Sequence, residues 1–243
     1  MKTIKITFLA FSFLFFASCD TLNQASQILT QTGLGNPSVT EISLGLKQAL
    51  EFGTSSSSDR LSATDGFFAN AAIKILFPEE AQKVERTLRS VGLNKLADNV
   101  ILSINRAAEA AAIEAKPIFI SAVKGMTFND ATNILLSGQQ DAATLYFKRV
   151  TGQQLQDKFR PIIQSSLSRV GATKYWSDAI TAYNAIPLVG KVNPDLSSYV
   201  TGKAVDGIFF EIAQEELKIR TRISARSTPL LQRVFAYADR NKG

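Results

Sequence analysis

The chain has 243 residues, of which 45% are hydrophobic, and its 27 Lys and Arg against 21 Asp and Glu give a net charge of +6. It has no histidine and one cysteine. The usual ligands of zinc, copper, haem and iron–sulfur sites are therefore missing, and Ser-His-Asp and Cys-His catalytic sets are excluded. The expectation is no metal and no cofactor, with carboxylates, Lys and Tyr left as the groups available for any catalysis.

In chain order the N-terminus comes first. Lys2 and Lys5 make a positive start, Ile6 to Phe16 an apolar run, and Phe16-Ala17-Ser18-Cys19 a small-residue approach to the lone cysteine. The run has the length of a secretory leader's apolar core and is too short to span a bilayer, which takes about 20 apolar residues. The tetrapeptide resembles a bacterial lipobox, whose cysteine is acylated and becomes the first mature residue, although Phe16 stands where an aliphatic residue is usual. An ordinary secretory leader with a chance cysteine, or a permanent anchor, are the competing readings. An unpaired cysteine in an exported chain is a liability that acylation removes, and several acyl chains meet the need for more than one hydrophobic signal.

The organisation that follows is a leader over 1–18, lipidated Cys19 with a polar tether over 19–37, and a domain over 38–243. The expected location is the cell envelope, facing the periplasm, with inner and outer membrane both open. Without Lys2 and Lys5 the charge falls to +4, and no run of five basic residues concentrates it. The membrane is thus the expected partner and nucleic acid is not.

Ser38 and Glu41 have capping-box spacing, and a first helix is expected to end at Gly53 and the Ser55 to Ser58 run. Ile73, Ile75 and Phe77 alternate ahead of Pro78, which predicts a short extended segment near 72–78. Pro78-Glu79-Glu80 opens a helix closed by Gly92. Leu93 to Lys124 reads as a long helix interrupted at Pro117, and Thr127 and Asp130 start another that stops at Gly138. Further helices are expected over Asp141 to Val150, Gln153 to Val170, Thr173 to Ala185, Leu196 to Ile223 and Thr228 to Asp239. The fold class is all-α: one bundle-like domain with two long central helices.

Those two helices carry polar residues where helical phase expects apolar ones. Around Leu196 to Ile223, Val205, Ile208, Phe209, Ile212, Ile219 and Ile223 form one stripe, and Phe210, Ala213 and Leu217 face the other way. Glu216 falls inside the stripe, while Tyr199, Lys203 and Asp206 line the opposite face. A buried Glu216 must be paired or neutral; the competing reading is a helix end emerging into water. Over Ile101 to Phe119, Asn105, Arg106 and Glu109 sit between or beside apolar stripes. They form either a pocket wall or a structural network. A single buried network of Asn105, Arg106, Glu109 and Glu216 would make Arg106→Ala cost about 3–5 kcal/mol.

Several separated motifs, in order, resemble the bacterial domain-of-unknown-function family 4197 between about Ile42 and Phe235. They are Asp65-Gly66-Phe67-Phe68, Ala72-Ile73-Lys74-Ile75, Asn105-Arg106-Ala107-Ala108-Glu109, Asp141-Ala142-Ala143-Thr144 with Tyr146-Phe147, Tyr199-Val200-Thr201 with Lys203, and Asp206-Gly207-Ile208-Phe209. The resemblance implies an exported, often lipid-anchored, mainly helical protein and transfers no activity. The leading functional expectation is a non-enzymatic, lipid-anchored helical domain acting through protein or envelope contacts. The alternative is a binding module for an apolar or amphipathic molecule or lipid. The third is an enzyme drawing on Glu216, Glu109, Lys203, Asp206 or Tyr199.

Overall fold

The computed structural model describes residues 36–90, 92–169, 171–184, 191 and 195–241. The expected leader, Cys19 and most of the expected tether lie outside the described residues. Pro37 onward forms a single compact unit. Its helices are α1 (Val39–Ser62), α2 (Gln82–Ser90), α3 (Asn94–Ala112), α4 (Ala115–Gly125), α5 (Phe128–Leu136), α6 (Ala142–Arg169), α7 (Ala172–Asn184), α8 (Leu196–Thr221) and α9 (Pro229–Asn241). The fold is all-α, and no strand occurs among the described residues. None of the described helices is long and apolar enough to cross a membrane.

α1 begins at the expected capping box: Ser38 Oγ accepts from the Glu41 N–H at 3.2 Å and the Ser38 N–H donates to Glu41 at 2.8 Å. It does not stop at Gly53 or the serine run. Thr54 and Ser58 hydroxyls donate to the carbonyls one turn back, at 2.7 and 2.8 Å, so these polar groups are satisfied inside the helix. Gly53, Thr54, Ser57 and Ser58 are buried, and their small size lets α1 lie close to α8, where a Cβ on Gly53 would sit 3.6 Å from Glu215.

Two other boundaries differ from expectation. The long helix over 93–124 is two helices, and the break falls at Ile113–Glu114 rather than at Pro117. Pro117 is the third residue of α4, where its missing N–H would have had no helical partner. Conversely, Asp141–Val150 and Gln153–Val170 merge into α6. Phe147, Thr151, Leu155, Phe159, Ile163 and Leu167 are all buried, so one stripe at four-residue spacing runs through Gly152 without interruption.

α6 packs against both α3 and α8, while α1 lies across α4, α5, α8 and α9. Ile104, Ala107, Ala108, Ala111, Ala112 and Ala115 are buried, and the small alanine side chains give this stretch a face that other helices can approach closely. The Phe119 ring meets Phe147 edge-on at 5.3 Å and Phe209 at 6.0 Å. Ile113 and Ile223 are exposed instead; each lies at a helix end, where the stripe runs out of neighbours.

Residues 63–78 form the longest described stretch between helices: turns through residue 73, then chain outside helix, strand and turn over 74–78. Its position is set by a close approach, because Phe67 rests on the bare backbone of Gly207 in α8. A Cβ there would fall 2.6 Å from the Phe67 ring. Gly207→Ala is expected to destabilise by about 1–3 kcal/mol through overpacking. Gly202→Ala, on the same helix with open space around it, should stabilise by about 0.5–1 kcal/mol. Urea midpoints of the two variants check the opposite signs.

Candidate functional site

The 63–78 segment is fastened by α3. Asp65 takes a left-handed conformation, φ 69°, and Gly66 lies so near the end of α1 that a Cβ would meet the Arg60 carbonyl oxygen at 2.4 Å. The turn aims the Phe67 and Phe68 N–H groups at Glu109 Oε1, both at 3.1 Å. Arg106 closes the arrangement, donating to Glu109 Oε2 and to Asp65 Oδ1, each at 2.6 Å. These two carboxylates hold the Arg106 guanidinium above its ordinary value, Glu109 first, against a smaller opposing effect of burial.

One turn earlier, Asn105 plays the part of a missing strand. Its Oδ1 accepts from the Ile75 N–H at 2.9 Å, and its Nδ2 donates to the Ile75 carbonyl at 2.8 Å and the Ile101 carbonyl at 2.7 Å. A buried residue outside helix and sheet needs both backbone groups met. With no neighbouring strand, one fully buried amide side chain meets them.

Glu216 does not join this group. It is buried, and its carboxylate accepts from the Ala143 N–H, the Thr144 N–H and the Thr144 hydroxyl, each at 2.9 Å. It therefore fills the N-terminus of α6, where free amides and the helix dipole favour an anion. Arg220, equally buried, pairs with it at 2.8 Å and donates to the Ile134 carbonyl at 2.8 Å, at the end of α5. One Glu–Arg pair on α8 thus holds both sides of the α5–α6 connection. The single network expected of Asn105, Arg106, Glu109 and Glu216 is two separate clamps, because each carboxylate is saturated by its own loop.

Tyr199, Lys203 and Asp206 do come together. They border a cleft of about 530 Å3 between α8, the 72–76 segment and the start of α6. Asn105, Glu109 and Glu216 do not line it. The Tyr199 hydroxyl donates to the Leu76 carbonyl at 3.1 Å, tying the segment to α8. Phe210, expected on an apolar face, is 39% exposed at the same cleft.

Other structural ionic groups escaped the sequence reading. Glu211 is buried between Arg60 at 2.7 Å and Asn70 Nδ2 at 2.8 Å. It lies beside Ile208 and Ile212, the same signal that marked Glu216. Burial works against the Arg60 charge, but Glu215 and Glu211 outweigh it and raise its pKa. Burial likewise pushes Glu215 up, yet Lys218 and Arg60 bring it below the ordinary carboxylate value. Arg226, buried, donates to the Ile219 and Arg220 carbonyls, both at 3.0 Å, at the end of α8. No periodicity marks a residue of that kind outside a helix. Among the described residues, no three carboxylates converge as metal ligands would.

A protein-family model described as "Protein of unknown function (DUF4197)" matches residues 36–236. The chain belongs to this family. Neither a curated protein nor a solved structure matches it. The match spans both clamps and every wall of the cleft.

The clamps predict different costs. Glu216→Ala leaves a buried guanidinium and two helix-end amides short of a partner, and should destabilise by about 3–5 kcal/mol. Arg106 has a side chain 38% exposed, and without it Glu109 keeps two amide donors, so Arg106→Ala should cost only about 1–2 kcal/mol. Urea unfolding of both variants checks the order.

Proposed function

We infer that the protein is a lipid-anchored domain facing the periplasm and that it works by binding rather than by catalysis. The observation that carries the binding half is the use of the buried carboxylates. Glu109, Glu211 and Glu216 are the acids whose burial would suit them to proton transfer. All three are occupied by backbone amides, Arg or Asn and point away from the open cleft. What borders the cleft is a polar set, Tyr199, Lys203 and Asp206 with Lys74, Lys148 and Asp141, beside apolar side chains, a lining suited to holding a molecule. The volume also lies in the ordinary range of small-molecule sites, about 300–1,000 Å3.

Anchoring is supported by the Lys2 to Cys19 pattern, with its short apolar run and single acylatable thiol. The described helices then serve as a domain held near a membrane surface by its tether. Metabolic labelling with a fatty acid should mark the wild-type chain and not Cys19→Ser. Exchange of residues 1–19 for a cleavable leader without cysteine should move the protein into the soluble periplasmic fraction. Continued labelling of Cys19→Ser, or membrane retention after the exchange, would defeat the anchoring proposal.

A further inference from the structure

We propose that the cleft beside α8 is a binding site for a monoanionic amphiphile: one acidic head, phosphodiester or carboxylate, carried on a short stretch of apolar chain. This deepens the binding reading and is independent of Cys19, since every wall of the cleft comes from residues 72–213.

The head group is indicated by three lysines. Lys74, Lys148 and Lys203 reach the cleft from three different parts of the chain: the 72–76 segment, α6 and α8. Among the described residues, none of the three ammonium groups makes an ion pair with a carboxylate; the lysines that do are Lys116 and Lys218, each bonded to an acid outside the cleft. Each of the three cleft lysines lies instead against an aromatic face. Lys74 Nζ is 3.9 Å from the centre of the Phe68 ring, Lys148 Nζ 5.8 Å from Phe209 and Lys203 Nζ 6.0 Å from Tyr199. Such contacts orient an ammonium without neutralising it, so the positive charge stays available to an incoming acid.

The neighbouring helix terminus does not compete for that acid. The first amides of α6 lie at the cleft wall through Thr144, but Glu216 already occupies them. An anion is therefore met by the lysines. Asp141 and Asp206 also border the cleft, and three lysines against two aspartates leave one net positive charge. That balance suits a single negative charge better than a phosphate dianion or a polyphosphate. It also leaves two acceptors for hydroxyl or ammonium groups on the same head.

The apolar part is indicated by the rim. Leu76 is 52% exposed and Phe210 39% exposed, and both border the same cleft, as do Ile73 and Ala213. Exposed large apolar side chains beside unpaired cations form a surface that neither water nor a simple inorganic anion covers well. An amphiphile satisfies both halves at once. Such a head is carried by a membrane phospholipid or by a free fatty acid, and the test separates these sources.

Native mass spectrometry of the full chain, purified from its membrane in maltoside micelles, reads the adducts directly. The probes are dihexanoylphosphatidylglycerol, octanoate, dihexanoylphosphatidylcholine and inorganic phosphate. Phosphatidylglycerol or octanoate should bind at least tenfold more tightly than phosphatidylcholine or phosphate, and which of the two leads tells a membrane lipid from a free acid. Lys148→Gln with Lys203→Gln should lower that affinity at least tenfold with Tm unchanged, and Phe210→Ser should lower it while leaving phosphate binding as it was. Equal binding of phosphatidylcholine, equal binding of bare phosphate, or an affinity indifferent to the lysine exchange would each overturn the proposal.

Discussion

A carboxylate taken out of water must be met by several donors, since a lone buried charge would cost more than a small domain's whole margin of stability. In this protein that requirement does the work of joining helices to loops. Glu216 reaches from α8 to the first amides of α6, and its partner Arg220 reaches to the last carbonyls of α5. Glu109 reaches from α3 to the amides of the Phe67–Phe68 turn. Glu211 draws in Arg60 from α1 and Asn70 from the irregular segment. Each acid sits on a long helix, where packing fixes its position, and each finds its donors on backbone or side chains of other elements.

The irregular stretch over 63–78 shows the consequence most plainly. It has no strand neighbour and too few residues for a core of its own, yet Phe67 and Ile75 are buried within it. Side chains replace the missing ladder: Glu109 for the turn, Asn105 for Ile75 and Tyr199 for the Leu76 carbonyl. Gly207 lets Phe67 seat against α8. This seating leaves the adjacent face of α8, at Tyr199, Lys203, Asp206 and Phe210, uncovered by the segment and open as one wall of the cleft. Fold and cleft therefore depend on the same contacts. The acids consumed in fastening the segment are no longer available to the cleft, whose remaining charge is mainly lysine.

Much of this was legible in the residues. The helical class, the capping box at Ser38, the helix start at Thr127 and the apolar stripe of α8 follow from local spacing, because a helix's periodicity and its end chemistry are written within a few residues. The same periodicity singled out Asn105, Glu109 and Glu216, which are charged or polar at phases that packing claims. Boundaries were less legible. Gly53 and Gly152 read as stops, yet burial of small residues in α1 and a continuous stripe in α6 outweigh a glycine's intrinsic cost of about 1 kcal/mol.

The sequence by itself determined that this is an all-α chain of the DUF4197 family with polar groups placed deep in two of its long helices. Only the tertiary structure decided whom those groups meet. Glu109 finds its amides some 41 and 42 residues away and Glu216 some 72 and 73 residues away, and periodicity reports the face a residue occupies without reporting the element opposite. For the same reason Asn105, Arg106, Glu109 and Glu216 looked like one network and are two. Lys203 stood out on its own helix, but Lys74, Lys148 and Lys203 become a group only where three separate stretches of chain are brought side by side.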